Sequence, residues 1–288
     1  MEHPIRIAAV SYLNTAPLIE GLEACADLRV QTDVPSAIVD RLTLTGPDRS
    51  GLDRADIGLV SLIDAAHHAD ELALLPCGMI GCEGQTLTVR LCSSVEPERI
   101  TTLHADTDSH TSTVLAQIVL SERYGVRPKV EAFDARAHEA SGSPRPEAVL
   151  LIGDKVVRDE RAERAGEFQI DLGSAWRELT GLPFVYALWM CRANDRHDPR
   201  VLAGARLLDR QRRRNLARLD AIVSARAAAK GWPDDLARRY IGQLLRYEVG
   251  PREREAVELF FEKAAALGLA PPARPLWASL QRPEASVA

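Results

Sequence analysis

The feature that most limits the folds open to this chain is a strand–helix alternation that runs twice, each time closed by a long extended segment. Ile5-Arg6-Ile7-Ala8-Ala9-Val10 reads as a strand, and Pro17, a favoured first-turn residue, opens a helix through Leu18, Ile19 and Leu22. Leu28 to Thr32 is a second strand, and Pro35 starts a helix with Ile38, Val39 and Leu42 on one face. Asp56-Ile57-Gly58-Leu59-Val60 is a short buried strand ending at Ser61, which is placed to cap a helix holding Leu62, Ile63 and Ala66. Alternation of this kind predicts an α/β fold with a largely parallel sheet. Leu72 to Ser93 then loses helical period, and Leu87 to Cys92 alternates as a strand does.

The rhythm restarts with strand Thr101 to Ala105, helix Thr113 to Tyr124 and strands Lys129 to Phe133 and Ala148 to Ile152. Val114, Leu115, Ile118 and Val119 form the buried stripe of that helix. A second extended run, Pro183 to Cys191, ends the block. The chain beyond it reads as nearly all helical, with Val257, Phe260, Phe261 and Ala264 as a core-facing stripe. The Ser-, Gly- and Pro-rich stretch Ala140 to Pro146 reads as an exposed loop. The arrangement predicts a two-lobed protein with a discontinuous first lobe: residues 1–88 plus 188–288 in lobe I, and 89–187 as an inserted lobe II. Two crossings between lobes make a hinge, and ligands favour such interfaces and the carboxyl ends of sheet strands.

At 288 residues the chain can bury a real core in two modest lobes. The net charge of −5 and the scattered Lys and Arg argue against a nucleic-acid partner, which needs clustered basic surface. The nearest approach, Arg210-Gln211-Arg212-Arg213-Arg214, reads as a solvated helix face. Five cysteines in apolar surroundings, without a CxxC pair, read as buried free thiols of a reducing compartment. His67 and His68 are adjacent, so on a helix their rings diverge by about 100° and share no metal. Ile5 to Val10 is too short for a secretory core and no stretch is long enough to span a bilayer, so a cytoplasmic protein without a membrane partner is expected. The oligomeric state is not legible.

Three polar clusters come after predicted strands. Ser11-Tyr12-Leu13-Asn14-Thr15 precedes the Pro17 helix, where Asn14 can donate and accept; helix capping by Asn14 or Thr15 is the alternative. Asp108-Ser109-His110-Thr111-Ser112-Thr113 puts hydroxyls at a helix start, a cradle for a carboxylate or an ordinary polar first turn. The third set joins Glu83-Gly84-Gln85-Thr86-Leu87-Thr88 on the crossing to Ile152-Gly153-Asp154, where Gly84 and Gly153 allow close backbone approach and Asp154 could equally cap a short helix. No P-loop, GxGxxG or GxSxG is present, so neither a metal nor any other cofactor is expected.

With these clusters in view the sequence resembles the chorismate dehydratase family of menaquinone biosynthesis by the futalosine route. The matching motifs are Val10-Ser11-Tyr12-Leu13-Asn14-Thr15-Ala16-Pro17-Leu18, Asp56-Ile57-Gly58-Leu59-Val60-Ser61, Ser109-His110-Thr111-Ser112, Leu151-Ile152-Gly153-Asp154, Asp171-Leu172-Gly173, and Trp176 with Thr180-Gly181-Leu182-Pro183-Phe184-Val185. The resemblance implies a type II periplasmic-binding-protein fold used as an enzyme, a hydro-lyase that converts chorismate to 3-[(1-carboxyvinyl)oxy]benzoate and water. By position Asn14 matches the family's active-site asparagine, and Thr88 falls where many members carry a substrate-facing serine. His110 departs from the pattern: members commonly have Arg there, which either pairs with a substrate carboxylate or braces the lobe.

The expected catalytic pair is therefore Asn14 and Thr88, with Ser11, Ser61, Ser109, His110, Thr111, Ser112 and Asp154 binding the substrate. No carboxylate or Lys stands out as a base; the substrate's own enolpyruvyl carboxylate, or His110, would take the proton. Two other readings share the fold: a cytoplasmic small-anion-binding protein, and the sister enzyme acting on cyclic dehypoxanthine futalosine.

Overall fold

A computed structural model describes residues 4–43, 54–106, 108–134, 137–138, 146–158 and 168–280. Eleven strands lie among them: β1 (Ile5–Val10), β2 (Leu28–Asp33), β3 (Ile57–Ser61), β4 (Leu72–Cys82), β5 (Val89–Ser93), β6 (Thr102–Asp106), β7 (Lys129–Phe133), β8 (Ala148–Ile152), β9 (Phe168–Asp171), β10 (Phe184–Arg192) and β11 (Leu245–Arg246). They form two sheets, one ordered β11-β4-β10-β3-β1-β2 and the other β7-β6-β8-β5-β9. Each sheet has a parallel part, β2-β1-β3 in the first and β7-β6-β8 in the second. Antiparallel β10 and β5 then enter each in turn. The parallel core strands read as unbroken apolar runs because both faces are covered: β3 and β8 are buried at every position.

The chain crosses between sheets after β4 and again before β10. β10 pairs with β3 and β4 from Phe184 to Arg192, so it belongs to the first sheet throughout, ahead of the division expected at 187/188. The C-terminal part is less uniformly helical than its sequence suggests. β11 adds to the edge of the first sheet, and Trp277 forms an isolated bridge to Leu74. The expected stripes hold: Val114, Leu115, Ile118 and Val119, and Val257, Phe260, Phe261 and Ala264, are all buried.

Several local expectations shift for physical reasons. The Pro17 helix is a single turn, Ala16–Ile19, ended by Gly21 at φ +80°. The second-sheet helix starts earlier, at His110, because Ser109 caps it through a bond from the Ser112 amide. Ser61 caps nothing; the turn Asp64–His67 begins after Ile63 without a side-chain cap. The arginine run is not wholly solvated: Arg212 is 4% exposed and pairs with Asp209 at 2.7 Å, while Gln211 and Asn215 hold the Glu20 carbonyl. Of the five thiols, none is in a disulfide; Cys25 is half-buried and the rest are buried. Most of the Ala140 to Pro146 loop lies outside the described residues.

Candidate active site

β1 and β3 are neighbours in the first sheet, so the polar residues beyond β1 and at the end of β3 converge on one edge. Across from them the capped end of helix His110–Tyr124 brings Ser109 and Ser112. Between the sheets lies a narrow cavity with about 60 Å³ of free space. Its polar wall is Tyr12, Asn14, Ser61, Thr86, Ser109, Ser112, Tyr186 and Tyr240; its apolar wall includes Val10, Leu59, Ile80, Val89 and Ile152. Among the described residues lining it, none is Asp, Glu, Lys, Arg or His.

Asn14 sits in a 3₁₀ turn, Leu13–Thr15, and the side-chain caps considered for this segment are not made. Its Oδ1 accepts from Thr15 Oγ1 at 3.2 Å. Beside it in the cavity wall stands the Tyr240 hydroxyl, which Thr88 Oγ1 meets at 2.6 Å. Burial drives the Tyr240 pKa far up, and the bonds from Thr88 and Asn14 only partly oppose it, so Tyr240 is a neutral donor at physiological pH. Thr88 is 1% exposed and touches the cavity through this tyrosine.

Its neighbour Thr86 does line the cavity, with Oγ1 at 2.8 Å from Tyr186 Oη and donating to Cys82 Sγ at 2.9 Å. Burial pushes the Cys82 thiol up to about 12, which keeps it protonated. Between the two threonines Leu87 has φ +72°, a strained setting for a residue with a Cβ. Asp171 holds it there, accepting from the Thr86 and Leu87 amides at 2.8–3.1 Å while capping helix Leu172–Thr180 through Ser174. Gly173 makes the approach possible, since a Cβ there would fall 2.3 Å from Thr86 Oγ1 and 2.4 Å from the Gly84 carbonyl.

The remaining expected residues divide. Ser61 is buried and lines the cavity. Ser109 donates to Ser112 Oγ at 2.8 Å, so capped helix start and cavity wall are the same structure. Thr111 is fully buried, and its Oγ1 accepts the Ile63 amide from the first sheet's side at 3.1 Å. His110 Nδ1 lies 2.8 Å from Asp64 Oδ1 and is turned away from the cavity lining. That Asp64 bond raises the His110 pKa above its ordinary value, against a smaller opposing effect of burial. Asp154 accepts from Trp232 Nε1 at 2.9 Å. Ser11 is exposed and outside the lining.

Sequence reasoning passed over Tyr12, Thr86, Tyr186, Tyr240 and Trp232 as site residues. It also passed over a charged set just outside the cavity. There Tyr12 Oη donates to Asp108, and Lys155 bonds both Asp108 and Asp106 at 2.7–2.8 Å. Burial raises the Asp106 pKa, with Lys155 pulling against it. Tyr12 and Thr86 stood inside clusters already singled out; Tyr186, Tyr240 and Trp232 carry no local signal of their site.

Two α/β sheets, joined by two crossings and enclosing a polar cavity, define a periplasmic-binding-protein-like fold. The solved structure of protein AF1704 from Archaeoglobus fulgidus shares it, with a TM-score of 0.68 at 18% identity over 93% of this chain and 98% of that one. So does the aliphatic sulphonate binding protein SsuA from Escherichia coli, at 0.60 and 14% over 99% and 97%. At the level of sequence the chain belongs to the menaquinone biosynthesis family, whose model matches residues 5–266. A chorismate dehydratase of Thermus thermophilus is 29% identical over 280 residues, covering 92% of this chain and 96% of that protein. The resemblance read from the motifs is borne out. Among the described residues no helix is long and apolar enough to cross a membrane.

Proposed function

We propose that the chain is a chorismate dehydratase, a hydro-lyase that forms 3-[(1-carboxyvinyl)oxy]benzoate and water from chorismate without a cofactor. The observation that carries the reading is a cavity between the sheets lined by an amide and hydroxyls, with no ionisable acid or base in its wall apart from buried tyrosines. Such a wall suits a substrate that brings its own base. The enolpyruvyl carboxylate takes the C3 proton, the C4–O bond breaks, and the departing hydroxide leaves as water with the ring now aromatic. His110, the protein's alternative base, has Nδ1 committed to Asp64, which favours the substrate's carboxylate.

Aromatisation makes the step downhill, so the protein's task is positioning and charge stabilisation. The amino end of helix His110–Tyr124, with Ser109 and Ser112, is the cradle for one carboxylate. Asn14, Ser61 and Tyr240, whose hydroxyl Thr88 meets from behind, face the leaving hydroxyl and the second carboxylate. In this reading Thr111, His110 and Asp154 act by joining the sheets around the substrate rather than by touching it. The lobes move about the two crossings, with β10 (Phe184–Arg192) and the chain after it on the side of residues 1–88, and the reaction takes place in the cytoplasm.

Incubating purified protein with chorismate and monitoring the aromatic product by mass and absorbance tests the proposal. Loss of water from chorismate is the expected result. A ligand-induced shift without turnover would point to a binding protein, and turnover of cyclic dehypoxanthine futalosine instead would point to the sister enzyme.

A further inference from the structure

The contacts around Thr88 close on themselves. Its Oγ1 meets Tyr240 Oη at 2.6 Å, and the Tyr240 ring stacks on Trp232 with centroids 4.8 Å apart and planes 9° off parallel. Trp232 Nε1 donates to Asp154 Oδ1 at 2.9 Å. Asp154 is next in the chain to Gly153, whose amide donates to the Thr88 carbonyl at 2.9 Å. Three stretches distant in sequence thus form one ring of contacts, and Asn14 stands beside it in the cavity wall.

We propose that Tyr240 is a positioning residue held against Thr88, that this pairing fixes the hydroxyl the tyrosine presents to the cavity, and that the Trp232–Asp154 contact between the two sheets' elements sets it there. The inference rests on the reading of this cavity as the dehydratase site. A threonine hydroxyl has three staggered settings, and a single buried partner at short distance selects one of them. Tyr240 and Trp232 are 1% and 3% exposed, so water does not compete for these bonds.

The backbone agrees. Helix Asp234–Arg239 does not run on regularly but passes into a π-helical turn, Tyr240–Leu244. Such turns give up regular helix geometry and gather at functional sites. This one places Tyr240 against both Trp232 and the cavity. Core filling alone would need the ring and not its hydroxyl.

Tyr240→Phe keeps the ring and the stack while removing the hydroxyl. With chorismate as substrate its kcat is expected to fall by about 10²-fold, the scale of losing one directed donor, with KM changed by less than about threefold. The double variant Thr88→Val/Tyr240→Phe should lose no more than about threefold beyond the worse single variant, because the two act as a unit. Trp232→Phe keeps an aromatic ring but loses the donor to Asp154, and should raise KM by about tenfold, the scale of one hydrogen bond to a charged group. A Tyr240→Phe kcat within about threefold of wild type, or single losses that multiply in the double variant, would overturn the inference. If wild-type protein leaves chorismate unchanged, the functional reading falls instead. Positioning is then decided by crystal structures of wild type and Tyr240→Phe: a displaced Thr88 side chain supports it, and an unmoved one overturns it.

Discussion

The wall of the cavity and the rim around it are built from opposite chemistry. Inside stand an amide, serines, Thr86 paired with Tyr186, and Tyr240 backed by Thr88. Outside, the contacts that join the sheets use charge: His110 with Asp64, and Tyr12 through Asp108 to Lys155. The difference has a physical logic. In the proposed reaction, fixed neutral donors orient the anion without a buried cation that must be desolvated each time the site empties. The charged contacts outside are part-buried, with Asp64 6% and Lys155 15% exposed, and they tie elements of the two sheets together.

The largest effect should come from the inner wall. Asn14→Ala is expected to lower kcat for chorismate by about 10²–10³-fold while circular dichroism and melting stay near wild type. Turnover close to wild type would show that the wall does not act on the reacting groups.

Gly173→Ala comes next and probes the scaffold under the wall. A Cβ held 2.3 Å from Thr86 Oγ1 and 2.4 Å from a backbone carbonyl cannot be relieved by one side chain moving, so about 1–3 kcal/mol of stability should be lost in a urea titration. An unchanged midpoint would mean that the crossing yields freely and that the Leu87 strain is not imposed from this side.

The smallest effect belongs to the rim and comes from titration. The hydrogen bond to Asp64, aided by the charges of Asp64 and Asp40, raises the His110 pKa in the folded protein. A raised pKa adds stability in full below the unfolded value of about 6.5, and that contribution is lost as pH rises through the folded value. The stability of wild type over His110→Gln should therefore be larger at pH 6 than at pH 8.5. With the histidine side chain 43% exposed, the difference should stay under about 1 kcal/mol. A difference that does not change with pH would leave the histidine without an ionic role at the rim.

The same contrast explains what the sequence made legible. β1, β3 and β8 announce themselves because strands covered on both faces must be apolar without interruption. Asn14, Ser61, Ser109 and Ser112 were readable because they lie just past strands, where an α/β sheet presents its ligands. Thr88 was placed by resemblance, and the structure gives it a tyrosine partner that no local pattern foretold. Tyr240 and Trp232 lie in a stretch whose composition says only helix, and their partners come from far earlier in the chain. Pairings of that kind are decided by tertiary packing, which leaves no mark on sequence periodicity. The buried Arg212 went unread for the same reason, because a run of arginines looks solvated until the residues facing it are known.

The central claim is that the neutral cavity between the sheets is where chorismate sits, and a crystal structure with chorismate or its aromatic product tests it most directly. The account predicts one carboxylate at Ser109 and Ser112 and the C4 end of the ring within hydrogen-bond reach of Asn14. A ligand bound elsewhere, with this cavity empty, would contradict it.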